Sequence, residues 1–411
     1  MYHFNSHQTR TKIVIIAAIC VFSTQFGVTV IAPLLGTWVE DSGTPFFAAA
    51  LIFSAFTIVS TPLNIPGGIM SDKLGRKPLI TAGLLLYAVA SALFPFSTEP
   101  YDWIFVRALQ GAGAGLFFPA ITALLSEVTS SEERGQTMSV YNIGLGAGLA
   151  VGPASGGILF DRYGIFMPFF VCVALALLSM VLVLLFVQEP KERLERRGKK
   201  GASLPERERK ALTLACVIIF FGIGVAAIMG ALFSPFAFAP ENLRLSTGVI
   251  GAILSTMFMV FAVLQVGFNR LMTKIGEIML SIAGLFLCAC GLLVLYFATT
   301  IFELVIMSVL LGAGLGAITL GTLTLASKAA GGGEREQEQG REQEQESKGK
   351  VMGIYYTVFY AGMGGIPLLC GALSEIFGAR LLFLAYAVLL LIVMVVVWKV
   401  GVDKKPFSSP L

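Results

Sequence analysis

The chain contains a series of apolar stretches, each long enough to form a helix that crosses a lipid bilayer. Such a helix needs about 20 mostly apolar residues, and inside a bilayer only helices and closed barrels satisfy their own backbone hydrogen bonds. Apolar residues make up 56% of the 411 residues and charged residues 13%, whereas soluble domains carry about 25% charge. These values exclude a soluble enzyme, a secreted disulfide scaffold and a disordered chain. They predict twelve spans, near residues 13–35, 47–69, 78–97, 103–126, 137–160, 166–187, 211–236, 246–268, 278–298, 301–326, 351–374 and 380–399.

The lysines and arginines predict how these spans are oriented. With the N-terminus inside, 25 of the 29 basic residues lie on the inner side, as the positive-inside rule requires. The first span follows Arg10 and Lys12 and is longer than the apolar core of a signal peptide, so we expect it to be retained. The other four basic residues lie near outer ends: Arg107, Arg162, Arg244 and Arg380. We expect a multi-pass protein of the plasma membrane with both termini in the cytoplasm.

The chain is organised as two similar halves. A polar segment at 188–210 predicts a cytoplasmic linker between a six-helix half at 1–187 and another at 211–400, with a cytoplasmic tail at 401–411. A shift of 201 residues places the glycines of the fourth span on those of the tenth, namely Gly111, Gly113 and Gly115 on Gly312, Gly314 and Gly316. Such a duplication is typical of secondary transporters. A charged, low-complexity tract interrupts the second half, and we expect disorder over 328–350.

The connection between the second and third spans carries a distinctive motif. It reads GIMSDKLGRK and contains Gly68, Asp72, Gly75, Arg76 and Lys77. Here the sequence resembles the major facilitator superfamily, whose members are all-α membrane proteins with twelve transmembrane helices in two six-helix halves. The resemblance implies alternating access of a central site to the two sides of the membrane.

The same resemblance implies a role for these residues as a gating latch on the cytoplasmic side. Asp72 would face the start of the eleventh span, and Arg76 would pair with Glu127 at the end of the fourth. The alternative is that the basic residues serve only the positive-inside bias. In the second half, Thr273 and Glu277 replace the aspartate and the arginine, so we expect a full latch in the first half alone.

The fifth span contains a run of glycines with one proline. Glycines four residues apart let helix backbones approach closely. The run resembles the antiporter motif of proton-coupled exporters in the superfamily, which implies export; the alternative is a packing helix that says nothing about direction. Its residues are Gly144, Gly148, Gly152, Pro153, Gly156 and Gly157.

The fourth span contains an arginine inside an apolar sequence. Arg107 and Gln110 resemble the R-x-x-Q-G motif of the same exporters. A cation in a span requires an acid, an aqueous cavity or a path to the surface. Arg107 would therefore tune a proton carrier, hold an anionic group of the substrate, or extend to the outer surface. The resemblance also implies that spans one, four, seven and ten line the central cavity, which favours Gln25, Arg107 and Gln110 as substrate contacts.

No acidic residue lies in the middle of a predicted span. The candidate proton carriers are therefore Glu303, Asp161 and Asp41, near the predicted outer ends. A buried carboxylate is common in exporters of cationic drugs, so its absence favours neutral, zwitterionic or anionic cargo.

Together these features predict a secondary active transporter that exports small amphipathic molecules by proton antiport. The alternatives are an exporter of the same fold for an anionic or zwitterionic metabolite, such as a siderophore-like metallophore, and an importer of that fold. There is no nucleotide-binding loop, and the cysteines lack the spacing of a metal site. We therefore expect no enzymatic activity, no cofactor and no metal. The expected partners are a small-molecule substrate, protons and the bilayer, without nucleic acid, for a monomeric protein.

Overall fold

The fold is all-α. The computed structural model describes residues 7–40, 43–129, 134–188, 206–239, 242–330 and 341–402. Within these ranges, twelve helical segments are long and apolar enough to cross a membrane, which confirms the predicted number. The helices are α1 His7–Thr29, α2 Leu35–Val39, α3 Pro45–Leu74, α4 Arg76–Leu93, α5 Pro100–Val128, α6 Arg134–Tyr163, α7 Phe166–Phe186, α8 Glu206–Phe238, α9 Thr247–Ile275, α10 Glu277–Phe297, α11 Ile301–Ala330, α12 Arg341–Phe377 and α13 Ala379–Val402.

The first span is interrupted near its predicted outer end. It consists of α1, a 3₁₀ turn at Ala32–Leu34 and the short helix α2. Pro33, inside the turn, has no N–H to donate to the preceding helical turn. The backbone groups around this break therefore need partners from elsewhere, because an unpaired polar group in an apolar interior is unfavourable.

The described helices group into two compact units. The first unit contains Met1–Leu194 together with Met229–Met259, and the second contains Glu195–Ile228 and Val260–Leu411. The end of α8 and the first part of α9 thus belong with the first unit. A buried apolar core in that unit is formed by side chains of α1, α4, α5 and α7, such as Ile13, Leu84, Phe117 and Val183.

Both units contain the same close helix contact. A Cβ added to Gly83 of α4 would lie 2.7 Å from the carbonyl oxygen of Gly113 in α5. In the second unit, a Cβ on Gly284 of α10 would lie 2.7 Å from the carbonyl oxygen of Gly314 in α11. The two glycine pairs are related by the 201-residue shift. The internal repeat is therefore present in the helix packing as well as in the sequence.

The helices extend into segments that the sequence analysis assigned to polar connections. In the tract expected to be disordered, residues 328–330 end α11, and 341–350 are the first ten residues of α12. Glu, Gln, Lys and Arg are good helix formers, so a charged tract next to a span can continue its helix. Helix α8 likewise begins at Glu206, inside the predicted linker. Residues 189–205, 331–340 and 403–411 lie outside the described residues.

We expect Gly284→Val to destabilise the protein, because the added side chain would overlap the α11 backbone. Overpacking of this kind typically costs about 1–3 kcal/mol. The matched control is Gly267→Val in α9, since no atom from other parts of the described chain lies within 4 Å of a Cβ there. Thermal unfolding in detergent should show a lower melting temperature for Gly284→Val than for the control. Equal melting temperatures would contradict the close contact.

Candidate functional site

A tight turn brings the predicted latch residues together at the junction of α3 and α4. Gly75 ends α3 with a φ of 110°, a conformation that favours glycine, and Arg76 begins α4. The Arg76 side chain is only 7% exposed. Its Nη1 lies 2.7 Å from Asp72 Oδ1, and its Nη2 lies 2.6 Å from Glu127 Oε1. One guanidinium thus joins the ends of α3, α4 and α5.

The remaining residues of the motif lie around this ion-pair cluster. Gly68 is one helical turn before Asp72, and a Cβ there would lie 3.8 Å from Pro119 of α5. Lys77 donates a hydrogen bond of 2.8 Å to the carbonyl oxygen of Leu184 near the end of α7. The charged groups at this end of the first unit therefore connect four helices.

The second unit contains an ion pair at the equivalent positions, with the charges exchanged. Glu277, at the start of α10, corresponds to Arg76, and Lys328, near the end of α11, corresponds to Glu127. Lys328 Nζ lies 3.1 Å from Glu277 Oε2; the Glu277 side chain is 8% exposed and that of Lys328 is 62% exposed. Gly276 precedes the pair with a φ of 84°. The pairing of Glu277 with Lys328 was not predicted from the sequence.

The glycines of the fifth span pack α6 against α1. A Cβ on Gly148 would lie 2.6 Å from the carbonyl oxygen of Phe22, and one on Gly152 would lie 2.8 Å from that of Phe26. The glycines that face α1 are Gly144, Gly148, Gly152 and Gly156. Their four-residue spacing places them on one face of the helix, so the backbone of α6 contacts the first span along just over three turns.

A second face of α6 contacts α9. A Cβ on Gly157 would lie 2.9 Å from Gly248 Cα and would overlap the carbonyl oxygen of Thr247. Pro153 lies on the same side, since its carbonyl oxygen would overlap a Cβ on Gly251. The glycine run therefore packs α6 against both α1 and α9. The four-residue spacing of its glycines had indicated only one such contact.

Arg107 is buried inside the first unit, with 1% of its surface exposed. Its Nη1 donates to the carbonyl oxygen of Val28 at 3.4 Å and to Gln110 Oε1 at 3.0 Å. The guanidinium carbon lies 5.0 Å from the centre of the Phe56 ring, within the range of a cation–π contact. The Nε atom is buried without a hydrogen-bond partner. Among the described residues, no carboxylate forms an ion pair with this arginine.

Arg107 is the end of a polar chain that runs through the helix bundle. Gln110 Nε2 donates to Ser91 Oγ at 3.1 Å, and Ser91 Oγ donates to the carbonyl oxygen of Tyr87 at 2.8 Å. The Tyr87 hydroxyl donates to the carbonyl oxygen of Thr24 at 2.8 Å. These hydrogen bonds connect α5 with α4 and both of these helices with α1. Arg107 therefore lies in a polar strip that no pattern in the sequence indicated.

Gln25 lies in a different contact. It is half-buried in α1, where its Cβ would be 2.8 Å from a Cβ on Gly148. Within the described residues, no hydrogen bond connects its side chain to Arg107. The structure therefore brings Arg107 and Gln110 together and places Gln25 at the contact of α1 with α6.

The two described candidate proton carriers both hydrogen-bond to helix N-termini. Glu303 Oε2 accepts hydrogen bonds from the backbone N–H groups of Thr299 and Thr300, at 2.7 and 2.8 Å, at the start of its own helix. Asp161 Oδ2 accepts one from the N–H of Gly248, at 2.7 Å, in α9. Asp41 lies outside the described residues.

Glu303 has a counterpart in the first unit. Asp102, 201 residues earlier, accepts hydrogen bonds of 3.2 Å from the N–H groups of Thr98 and Glu99 at the start of α5. Both acids therefore act as local helix caps. Asp161 differs from both because the helix that it caps is not its own.

The sequence as a whole matches one family. A profile of the Major Facilitator Superfamily matches residues 17–341 and 219–410. The chain belongs to the major facilitator superfamily. It is a multi-pass membrane transporter and not an enzyme, as the sequence predicted.

Its relatives are transporters of the same type. The chain is 25% identical over 372 residues to an uncharacterized MFS-type transporter of Methanocaldococcus jannaschii, an alignment that covers 89% of this chain and 92% of the relative. It is 21% identical over 392 residues to the quinolone resistance protein NorA of Staphylococcus aureus, covering 92% and 93%. The fold resembles the crystal structure of a POT family transporter in complex with 5-aminolevulinic acid, with a TM-score of 0.78, 11% identity and 98% coverage of both chains.

Several polar contacts in this transporter were missed by the sequence analysis. They involve single serine and threonine residues in apolar spans, such as Ser91, Ser234, Thr247 and Ser255. Each forms a hydrogen bond to another helix. The sequence contained only weak indications of these contacts. Ser234 precedes Pro235, and Thr247 lies at the start of a span.

We expect the second-unit ion pair to tolerate exchange of its two charges. Glu277→Lys alone would face Lys328 with a like charge and lower the melting temperature. The double variant Glu277→Lys/Lys328→Glu would restore the opposite charges. The recovery should be on the order of 1 kcal/mol, because Lys328 is largely exposed and its charge is screened by solvent. Thermal unfolding of the single and double variants tests this; a double variant no more stable than Glu277→Lys would contradict the pairing.

We expect Gly152→Leu to stop transport while the protein still inserts into the membrane. The side chain would overlap Thr29 and the carbonyl oxygen of Phe26, forcing α6 away from α1. Gly365→Leu in α12 is the control, because a Cβ there meets no atom from other parts of the described chain within 4 Å. Flux in proteoliposomes, normalised to inserted protein, should fall at least about tenfold for Gly152→Leu only. Normal flux would show that this contact is dispensable.

Proposed function

We propose that this transporter exports small amphipathic molecules in exchange for protons, by alternating access. The observation that carries the proposal is the glycine run of α6 with Pro153 in register. It resembles the antiporter motif of proton-coupled exporters, and all of its motif glycines that face α1 are in backbone contact range. The similarity to NorA, a quinolone resistance protein, supports efflux over import.

The cytoplasmic ion-pair cluster would bias the resting state of this cycle. Arg76 binds Asp72 and Glu127 from one buried guanidinium. Arginine forms such paired contacts with carboxylates better than lysine does. In the proposed orientation, with both termini in the cytoplasm, this cluster lies on the inner side and would act as the gating latch together with Gly68, Gly75 and Lys77.

Arg107 and Gln110 are the proposed substrate contacts, with Gln25 on the neighbouring helix. A buried guanidinium with an unpartnered Nε and a nearby aromatic ring can bind both a polar group and an apolar surface. Asp161 and Glu303, near the proposed outer ends of their spans, are the described candidates for the proton carrier. Each already caps a helix, so protonation would alter that cap.

A second candidate is export of an anionic or zwitterionic metabolite, including a siderophore-like metallophore. The observation that favours it is the absence of an acidic partner for Arg107 among the described residues. A buried cation is unfavourable without a counterion. A carboxylate on the cargo would supply that counterion during transport.

The test uses purified protein in liposomes that contain a pH-sensitive dye. Lipophilic cations, neutral drugs and anionic chelators are added in turn under an imposed proton gradient. We expect proton flux on addition of neutral or zwitterionic amphipathic compounds, and none in Gly152→Leu liposomes. If no compound in the panel moves protons although each is transported, proton antiport is wrong.

The two cargo classes are distinguished by variants of Arg107. If the cargo is anionic, Arg107→Ala should reduce its flux at least about a hundredfold, and Arg107→Lys should restore part of it by returning the charge. The flux of neutral compounds should fall much less in Arg107→Ala. Equal losses for charged and neutral cargo would show that Arg107 stabilises the bundle and does not recognise an anion. The folded fraction is checked by size-exclusion chromatography.

A further inference from the structure

The first unit contains a seam whose contacts are made by a segment from the second half of the chain. Residues Met229–Met259, from α8, α9 and their connection, belong to this unit. In the proposed orientation the seam lies on the outer side, and we call it the outer seam. Three hydrogen-bonded points cross it, made by Ser234, Asp161 and Ser255.

Ser234 bridges the break in the first span. Its hydroxyl donates to the carbonyl oxygen of Pro33 at 2.7 Å and accepts a hydrogen bond of 2.9 Å from the N–H of Gly36. Both groups lie where the helix is interrupted, so neither is paired in the regular helical way. A Cβ on Gly36 would lie 2.8 Å from Phe238 Cβ, which shows that the two segments touch. Ser234 is fully buried there.

Asp161 makes the second point with both carboxylate oxygens. Oδ1 accepts a hydrogen bond from the Thr247 hydroxyl, and Oδ2 accepts one from the N–H of Gly248 at 2.7 Å. Thr247 and Gly248 are the first two residues of α9, whose leading N–H groups have no partner in their own helix. The negative charge also interacts favourably with the positive end of a helix of 29 residues.

The third point and the backbone contacts lie directly beside Asp161. The N–H of Ala154 in α6 donates to Ser255 Oγ of α9 at 2.8 Å. Gly157 and Gly251 lack side chains where α6 and α9 are in backbone contact. Since glycine contacts exclude water but supply no directional bond, Asp161, Ser234 and Ser255 provide the specific pairing of the outer seam.

These hydrogen bonds are present only while the seam is closed. If it opens to water, each group exchanges its partner for solvent, and the difference in free energy per bond is small. A few such bonds hold a seam shut without preventing its opening. We propose that Asp161 and Ser234 are gating residues that clasp the outer seam, and that Asp161 acts through its two hydrogen bonds to α9 and not as the carrier of the transported proton. This rests on the alternating access of the proposed function.

The test measures opening of the seam directly. In a cysteine-free background, Ile250→Cys places a thiol at a fully buried position in the first turn of α9. A membrane-impermeant maleimide added from outside labels it only when the seam opens. We expect Asp161→Ala and Ser234→Ala each to raise the labelling rate about tenfold, which corresponds to loss of one or two hydrogen bonds. Asp161→Asn keeps one acceptor oxygen and should give an intermediate rate.

The control is Asp102→Ala, because Asp102 caps only its own helix and should leave the labelling rate unchanged. The double variant Thr247→Val/Asp161→Ala should label no faster than Asp161→Ala alone, since both substitutions remove the hydrogen bond between Thr247 and Asp161. An unchanged labelling rate in both Asp161→Ala and Ser234→Ala would contradict the proposal that these residues hold the outer seam closed. Asp161→Asn also separates the two roles should Asp161→Ala fail to fold.

The role of Asp161 is decided by proton-driven flux in Asp161→Asn. If the residue clasps the seam, this variant keeps proton-coupled exchange at a changed rate together with faster labelling. If it carries the proton, coupled exchange disappears while labelling stays at the wild-type rate, which would overturn our assignment. The labelling assay needs no substrate. Its outcome is therefore independent of whether wild-type liposomes show the proton exchange that the proposed function requires.

Discussion

The structure depends on the requirement that every backbone polar group be paired within the chain, because a bilayer offers no water to take its place. Continuous helices meet this requirement by themselves. The exceptions are the helix ends and the break at Pro33, where side chains from other helices supply the pairing. Arg107 binds a carbonyl oxygen just before this break, and Ser234 binds groups within and just after it. The least regular part of the first span is thus held by side chains of two other helices, α5 and α8.

In the proposed alternating-access cycle, these pairings would be broken and re-formed. Glycines let two helix backbones approach closely, and single polar groups add directional hydrogen bonds between them. The first unit combines both: α6 has glycine faces toward α1 and α9, and single polar groups such as Asp161 and Ser255 fix the register. A small number of exchangeable hydrogen bonds per contact is compatible with a protein whose states must differ by little free energy.

The twelve spans and the residues of the charged cluster were predictable because their signals are local. Length and hydropathy define a span, and the motif from Gly68 to Lys77 occupies ten consecutive residues. The partners of Asp161 and Ser234 were not predictable, because an isolated polar residue in an apolar run does not indicate what it will contact. The position of Arg107 within its span was visible, but its chain through Gln110, Ser91 and Tyr87 requires the three-dimensional packing of α4 against α5. The composition of the charged tract suits both a solvated coil and the extension of a neighbouring helix, and its described residues, 328–330 and 341–350, are helical.

The two ion pairs show what the duplication preserves. Positions 76 and 127 in the first half, and 277 and 328 in the second, carry opposite charges in both cases but in exchanged order. Attraction between two charges does not depend on which partner is positive, so the pairing survives the exchange. The geometry of the two ion pairs differs, however. Arg76 has a planar group that contacts two acids at once, whereas Lys328 presents a single ammonium to one acid. With Thr273 in place of the second acid, the ion pair in the second half joins two helices, whereas the cluster in the first half joins three.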